Sequence, residues 1–334
     1  MAQIIFNKAS GLNDSIYGKS AEPIYAIIEQ GVEAFQEKSL IDKMFTPINS
    51  NKFAEKFTYL TSLPNFSVTG EGGNYPTDGK MQEGYSQVVE PETWKQKFEI
   101  TQEMVEDNNI GLMQARARQF TLSYNRTREM FAAAMIMGGM TGTTTFGSVA
   151  HDCKSADGVN LFSKAHTSIT GGANQSNLFA ADFSYDALCR AQEKMQMLTD
   201  DDGNLLGVSP NTIMIPNDGL LKKAVMNAIG AEGLPDTQNN SFNFQVGLWN
   251  VIVNPYLNAY CAGGIRPWFL LDTEYNEANF GGVWVDRIPL TITTDINKDN
   301  DNNIWKGRAR FGAGFNDWRG YCVSYASSGG DELA

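Results

Sequence analysis

The sequence predicts an α+β chain: an N-terminal arm and helix, an extended β-hairpin, a long central helix, then a mixed body of strands and shorter helices. Three observations carry this expectation. Two β-prone runs, at 57–68 and 85–100, flank a Gly/Pro/Asn/Asp cluster at 70–79. An apolar stripe recurs at steps of three and four from Met113 to Ala134. From Ser184 onward, short apolar runs alternate with capped amphipathic segments.

Residues 1–20, with Gly11, Asn13, Asp14 and Gly18, read as an extended arm. A helix follows from Ser20, with Pro23 in its first turn, where a missing N–H costs nothing. Ile24, Ile27, Ile28, Val32 and Phe35 share its apolar stripe. Residues 52–99 read as one long hairpin. Its arms lack the continuous apolar character of a core, and an isolated ribbon is marginal in water, so it is expected to lie on another surface. Thr101 is placed to cap the next helix, which Asp107-Asn108-Asn109 and Gly111 interrupt. Beyond that break Met113, Ala117, Phe120, Tyr124, Thr127, Phe131 and Ala134 form one face. Arg116, Arg118, Arg126, Arg128 and Glu129 occupy the others, and Gly138-Gly139 end the helix. Residues 110–137 span about 40 Å at 1.5 Å per residue. Residues 140–180 are loop-rich. Ser184 caps a helix that stops at Asp200-Asp201-Asp202-Gly203-Asn204, a D-G turn. Thr212–Pro216 reads as a buried strand, and Asn217 or Asp218 caps a helix closed by Gly230. Strands are expected at 246–253, 267–272, 283–294 and 304–327, with 327–334 a solvated tail.

The 334-residue chain carries 26 Lys+Arg against 38 Asp+Glu, a formal net charge of −12. With 11% aromatic residues it can build a core, which excludes disorder. Its charged share of 19% lies below the usual ~25%. Together with 32 glycines, this suits a surface largely covered by copies of itself. The acidic balance and the absence of a basic stripe argue against a nucleic-acid reader. Cys153, Cys189, Cys261 and Cys322 stand singly, as reduced thiols rather than a disulfide framework. The start MAQIIFNKAS has no secretory-signal pattern. The longest apolar run, Met130–Met140, is far short of the ~18 residues of a membrane span, so a cytosolic site of synthesis and no membrane partner are expected.

Two stretches hold residue types that could support chemistry. His151-Asp152-Cys153 and His166 offer a thiolate nucleophile with a base, the pattern of a Cys/His hydrolase, or a Zn²⁺ ligand set. The spacing fits no standard motif, and a polar loop is the plainer reading. Residues 295–301 place oxygens at alternate positions as a Ca²⁺ loop does. Asn300 stands where Gly is required and Lys306 where the closing Glu belongs, which favours a polar hairpin turn.

Four local stretches, in this order, resemble the HK97-fold major capsid proteins of tailed phages, and the Mu-type major head subunit family in particular. They are Phe98-Glu99-Ile100-Thr101-Gln102-Glu103-Met104-Val105, Leu161-Phe162-Ser163-Lys164-Ala165-His166, Ile213-Met214-Ile215-Pro216-Asn217 and Gly312-Ala313-Gly314-Phe315-Asn316-Asp317-Trp318-Arg319-Gly320. They cover most of the chain from about residue 50. The resemblance implies an N-terminal arm and helix at 1–50 and an extended hairpin, the E-loop, at 51–100. It further implies a peripheral domain with the spine helix at 101–181 and 300–334, and an axial domain at 182–299. It implies a shell subunit and not an enzyme, with no catalytic residue, cofactor or metal, and makes His166 a structural loop residue. The expected partners are copies of itself in hexamers and pentamers, then portal, scaffolding and decoration proteins. The shell, icosahedral or prolate, would enclose double-stranded DNA without sequence-specific binding. The protein would reside in the virion capsid after synthesis in the bacterial host cytoplasm. An encapsulin-like compartment shell is the alternative. Within the hairpin tip the residues assigned to assembly are Gly70, Glu71, Gly72, Gly73, Asn74, Tyr75, Asp78 and Lys80.

Overall fold

One helix, α4 (Ile110–Gly138), reaches through two separate cores. The structure is a computed structural model that describes residues 18–36, 38–61, 65–75, 83–107, 110–170, 172–230, 243–261 and 264–333. The arm expected at 1–17 lies outside the described residues. The first half of α4 buries Met113, Ala117 and Phe120 against Ile24 and Ile28 of α1 (Gly18–Gln36) and Met104 and Val105 of α3 (Gln102–Glu106). Its second half, from Phe131 to Met137, enters a larger core with Trp284, Phe311, Phe315 and Tyr321. The periodic stripe is therefore the buried face. The break between α3 and α4 falls where the Asp/Asn run placed it, and Thr101 Oγ1 accepts the Met104 N–H as the cap.

A second, polar stripe on α4 faces the N-terminal helix. Thr121, Asn125 and Glu129 are all buried. At the crossing, a Cβ on Gly31 of α1 would stand 2.8 Å from Thr121 Cγ2, so only glycine allows this approach. Glu129 lies off the apolar stripe, yet it does not face solvent. Instead its Oε1 accepts from Ser39 Oγ at 2.7 Å and from the Leu40 N–H at 3.0 Å. Burial raises its pKa in spite of those bonds.

Two sheets flank the helix. The first runs β1 (Thr46–Asn49), β11 (Gly282–Ile296), β12 (Asn303–Phe315), β4 (Glu92–Ile100), antiparallel except for the β1–β11 pair. The second runs β7 (Leu178–Phe179), β13 (Tyr321–Ser324), β10 (Trp268–Leu271), β8 (Thr212–Pro216), β9 (Asn250–Asn254). It is covered by α5 (Tyr185–Gln196) and α6 (Gly219–Ile229), whose Leu188, Ala191, Leu221 and Val225 meet Ile213, Trp268 and Leu270. Ser184 caps α5 and Asp218 caps α6, as their sequence positions predict.

Four features differ from the sequence expectation. The strand expected at 304–327 is two strands in different sheets, because Asn316–Gly320 turns the chain and pins it through Asn316 N–H to Gly281 O. A short helix, α7 (Thr273–Asn279), capped by Asp272, stands between β10 and β11. The hairpin pairs only β2 (Glu55–Leu60) with β3 (Glu83–Val89). Pro91, without an N–H, follows the ladder, and Glu92–Ile100 pairs with β12 instead. The C-terminal tail is docked rather than solvated. Asp331 exchanges two 2.9 Å backbone bonds with Leu178 and Ala180, covering the β7 edge, and Leu333 packs on the α5 core. The boundary expected at 299/300 falls in the turn joining β11 to β12, and β13 pairs within the sheet of β8 and β10.

Candidate assembly surface

The hairpin is rooted in the body and bare beyond it. Val89 is buried with Val283 and Val285, and the Phe57 ring lies 5.9 Å from that of Phe280. Gly84 sits so close to Tyr59 that a Cβ there would meet Tyr59 Cδ1 at 2.8 Å. The ladder ends at the Leu60–Glu83 pair. Beyond it, described residues 65–75 are all exposed. Phe66, Val68 and Tyr75 reach 105%, 103% and 97% exposure, the values of free side chains. Gly70–Gly73 forms a turn closed by Gly73 N–H to Gly70 O at 2.9 Å, with Gly72 at φ +74°. No atom beyond their chain neighbours lies within 4 Å of a Cβ built on Gly70 or Gly72. Of the residues assigned to the tip, Gly70, Glu71, Gly72, Gly73, Asn74 and Tyr75 lie on this bare segment. Asp78 and Lys80 lie outside the described residues. Phe66 and Val68, two of its three large apolar side chains, precede the segment the sequence singled out.

A buried charge cluster fastens the root. Arg319 Nη1 lies 3.3 Å from Asp317 Oδ1, and its Nη2 lies 3.8 Å from Asp201 Oδ1. Tyr275 donates its hydroxyl to Asp317 Oδ2 at 2.8 Å. The Arg319 guanidinium stands 5.1 Å over the Tyr59 ring and 5.2 Å over Trp318. Burial disfavours the Arg319 charge, but the surrounding Asp317, Tyr275, Tyr59 and Asp201 more than offset it and hold its pKa above the usual range. Hairpin, 200–204 turn and C-terminal turn thus meet at one cation. Asn65 adds a 2.8 Å bond from its amide to Asn204 Oδ1.

The outer face of the four-stranded sheet is cationic. Alternation on β12 sends Trp305, Ala309 and Phe311 inward and Lys306, Arg308 and Arg310 outward. Register then sets Lys97 opposite Lys306 and Lys95 opposite Arg308. The expectation of no basic stripe is corrected here. Two short alternations, Lys95-x-Lys97 and Lys306-x-Arg308-x-Arg310, are weak separately, and strand pairing merges them. Pairing of β4 with β12 was the missing information.

The candidate chemistry dissolves in the structure. Cys153 is fully buried, with Sγ 3.7 Å from Met135 Sδ, and burial pushes its pKa up to about 12. His166 does not serve it. Its Nδ1 lies 2.6 Å from Asp157 Oδ2 and its Nε2 3.2 Å from Asn177 Oδ1, and the ring stacks on Trp318 at 4.0 Å. His151 Nε2 lies 3.2 Å from Phe146 O, and its ring lies against those of Trp94 and Phe131. Residues 297–302 form a polar turn, with Lys306 Nζ reaching Asp295 Oδ2 at 2.6 Å. Among the described residues no group of three His, Cys, Asp or Glu side chains is placed to hold a metal ion, and no helix is long and apolar enough to cross a membrane.

Among solved structures the chain is similar to the capsid of an empty GTA particle, at 11% identity over 86% of this chain and 89% of that one, with a TM-score of 0.48. It is similar to a virus-like particle from Pyrococcus furiosus, at 7% identity over 91% and 98%, TM-score 0.49. A third likeness is the procapsid of bacteriophage JBD30, at 14% identity over 92% and 75%, TM-score 0.46. At these scores they stand as likenesses only. No curated protein sequence matches. The sequence profile described as phage capsid protein matches residues 84–324, well over half of the chain, from β3 through the end of β13. The chain belongs to the phage capsid protein family.

Proposed function

We propose that the chain is the major shell-forming subunit of a tailed-phage head, of HK97-like and Mu-type organisation, and that the hairpin tip clasps a neighbouring copy. One observation carries the proposal. A segment with three fully exposed large apolar side chains projects from a root fixed by a buried arginine cluster. Such a segment adds nothing to its own subunit's core, and its exposed apolar surface is unfavourable until something covers it. Copies that cover one another head to tail make heterologous contacts, which close into rings when the rotation allows. Hexamers and pentamers of such rings would build the closed shell. The parts assigned are a peripheral body around the four-stranded sheet and α4, and an axial body around the five-stranded sheet. Portal, scaffolding and decoration proteins would join the shell at its surfaces. Packaged double-stranded DNA would be enclosed without sequence reading, and the subunit would be made in the host cytoplasm and end in the virion. Family membership favours this over the compartment-shell alternative. Negative-stain electron microscopy of the purified protein tests the proposal. Closed shells or rings are expected, and a chain that stays monomeric at every concentration would overturn it.

A further inference from the structure

The shell role leaves His166 without a purpose, yet its surroundings fix where its protons sit. The ring is buried, and the side chains of His166 and Asp157 are only 1% and 3% exposed. Asn177 orients one end of the pair. Its Nδ2 lies 2.8 Å from Leu161 O, 2.9 Å from Tyr321 O and 3.3 Å from Trp318 O. Only the amide NH₂ can face three carbonyls, so Oδ1 points the other way. There it accepts the Ser163 N–H at 2.9 Å and meets His166 Nε2 at 3.2 Å. Nε2 must therefore carry a hydrogen, since otherwise two lone pairs would be opposed.

A neutral imidazole holds one ring proton, and Nε2 has claimed it. Nδ1 nevertheless lies 2.6 Å from Asp157 Oδ2, a distance that requires a hydrogen between them. Two observations place that hydrogen on Nδ1 rather than on the carboxyl. Asp157 Oδ1 accepts from Ser155 Oγ at 2.5 Å and from the Val159 N–H at 3.1 Å, bonds that favour the carboxylate. The His166 ring stacks on Trp318 at 4.0 Å with 8° between planes, a contact that favours a cation. The other groups around the ring do not compete for this role. Lys164 on the same loop is exposed, and Gln175 and Asn177 on the facing segment are neutral. The C-terminal turn brings Arg319, whose guanidinium stands 5.2 Å over the Trp318 ring. That charge opposes a second cation nearby, but Asp317 and Asp201 match it. Asp157 is thus the counter-ion of His166.

We infer that His166 is a buried imidazolium and a proton-operated latch: with both ring nitrogens protonated it ties the 155–170 loop to the C-terminal turn, and loss of the Nδ1 proton opens that loop. Without that proton a nitrogen lone pair stands 2.6 Å from a carboxylate oxygen, away from water. A histidine held by a carboxylate contributes stability that is complete below the unfolded value, about 6.5, and is lost as pH rises through the folded one. Alkali therefore releases the latch. The same loop bonds the C-terminal turn through the Ala156 N–H to Asn316 O at 3.2 Å. Opening it would loosen the turn that sets Trp318 and Arg319 beneath Tyr59 of the hairpin root.

The test uses the full chain labelled with ¹⁵N at histidine, and a His151→Gln sample that leaves one histidine signal. At pH 7 both ring nitrogens of His166 should resonate as protonated. Raising the pH should convert Nδ1 alone. Over the same interval amide hydrogen exchange of residues 155–170, corrected for the intrinsic rate, should rise by about tenfold or more. His166→Gln should exchange fast at every pH with no such step, a readout that packing alone would not produce. An unprotonated Nδ1 at pH 7, whether the ring is neutral beside a carboxylate or the proton rests on Asp157, would overturn the imidazolium. Loop exchange that stays flat while Nδ1 loses its proton would overturn the latch. The titration of the parent chain decides both points even where His166→Gln fails to fold.

Discussion

The guanidinium of Arg319 lies 5.1 Å over the ring of Tyr59, so the root of the hairpin rests on a cation held by Asp317 and Asp201. Both aspartates are buried. Removing the cation would leave two buried carboxylates with hydrogen bonds from Tyr275 and Ser168 but no counter-charge, a loss of about 3–5 kcal/mol when one member of a buried pair is deleted. Arg319→Ala should therefore lower the melting temperature sharply, and Arg319→Lys should recover only part of it, because a lysine cannot reproduce the planar fork. Differential scanning calorimetry of the three proteins measures this, and an unchanged Arg319→Ala melt would contradict the latch.

The spine helix should be most sensitive at Phe120. Its ring is seated against Phe98, at 5.2 Å between centroids, and over Gly307, where a Cβ would collide with it. Phe120→Ala should cost about 3–5 kcal/mol, as for other buried aromatics. Gly307→Ala should also destabilise, by crowding the same ring. Urea midpoints check both, and an unchanged midpoint for Phe120→Ala would remove the ring from the core.

Acid should unfasten the loop that carries His166. Burial alone would raise the Asp157 carboxyl, but the bonds from His166, Ser155 and the Val159 N–H outweigh it and hold its pKa below the usual value. A depressed folded pKa gives stability that is complete above the unfolded value, about 3.9, and is lost as pH falls through the folded one. Asp157→Asn should thus be less stable than the parent at neutral pH, and the gap should narrow on acidification below about pH 4. Stability curves against pH for the pair measure the gap, and a constant difference would contradict the assignment.

Thiol chemistry separates the buried from the accessible cysteines. Burial raises the pKa of both Cys153 and Cys322. A thiol reagent at mildly alkaline pH should titrate Cys189 and Cys261 in the native chain, and Cys153 and Cys322 only after denaturation. Fast native reaction at Cys153 would revive the nucleophile reading.

Local physics made much of this legible. The stripe from Met113 to Ala134, the caps at Thr101, Ser184 and Asp218, and the glycine-rich tip all follow from neighbours in sequence. What escaped depends on partners far along the chain. Glu129 looks solvated on a helical wheel and is buried because Ser39 and Leu40 arrive to bond it. The split of 304–327 depends on Gly281 receiving the Asn316 N–H. The cationic face exists only once β4 pairs with β12, more than 200 residues apart. His166, weighed as a base but read as a structural loop residue, is held between Asp157 and Trp318.

Shortening the hairpin tests the account most directly. Residues 65–82 are replaced by a short Gly-Ser turn, which keeps the Leu60–Glu83 pair, the Tyr59–Arg319 contact and the packed root. Circular dichroism melting and sedimentation velocity are measured on the same preparation. The account predicts a folded, soluble subunit melting close to the parent, and no shells at concentrations where the parent assembles. Normal shells from the shortened chain, or a chain that fails to fold, would contradict it.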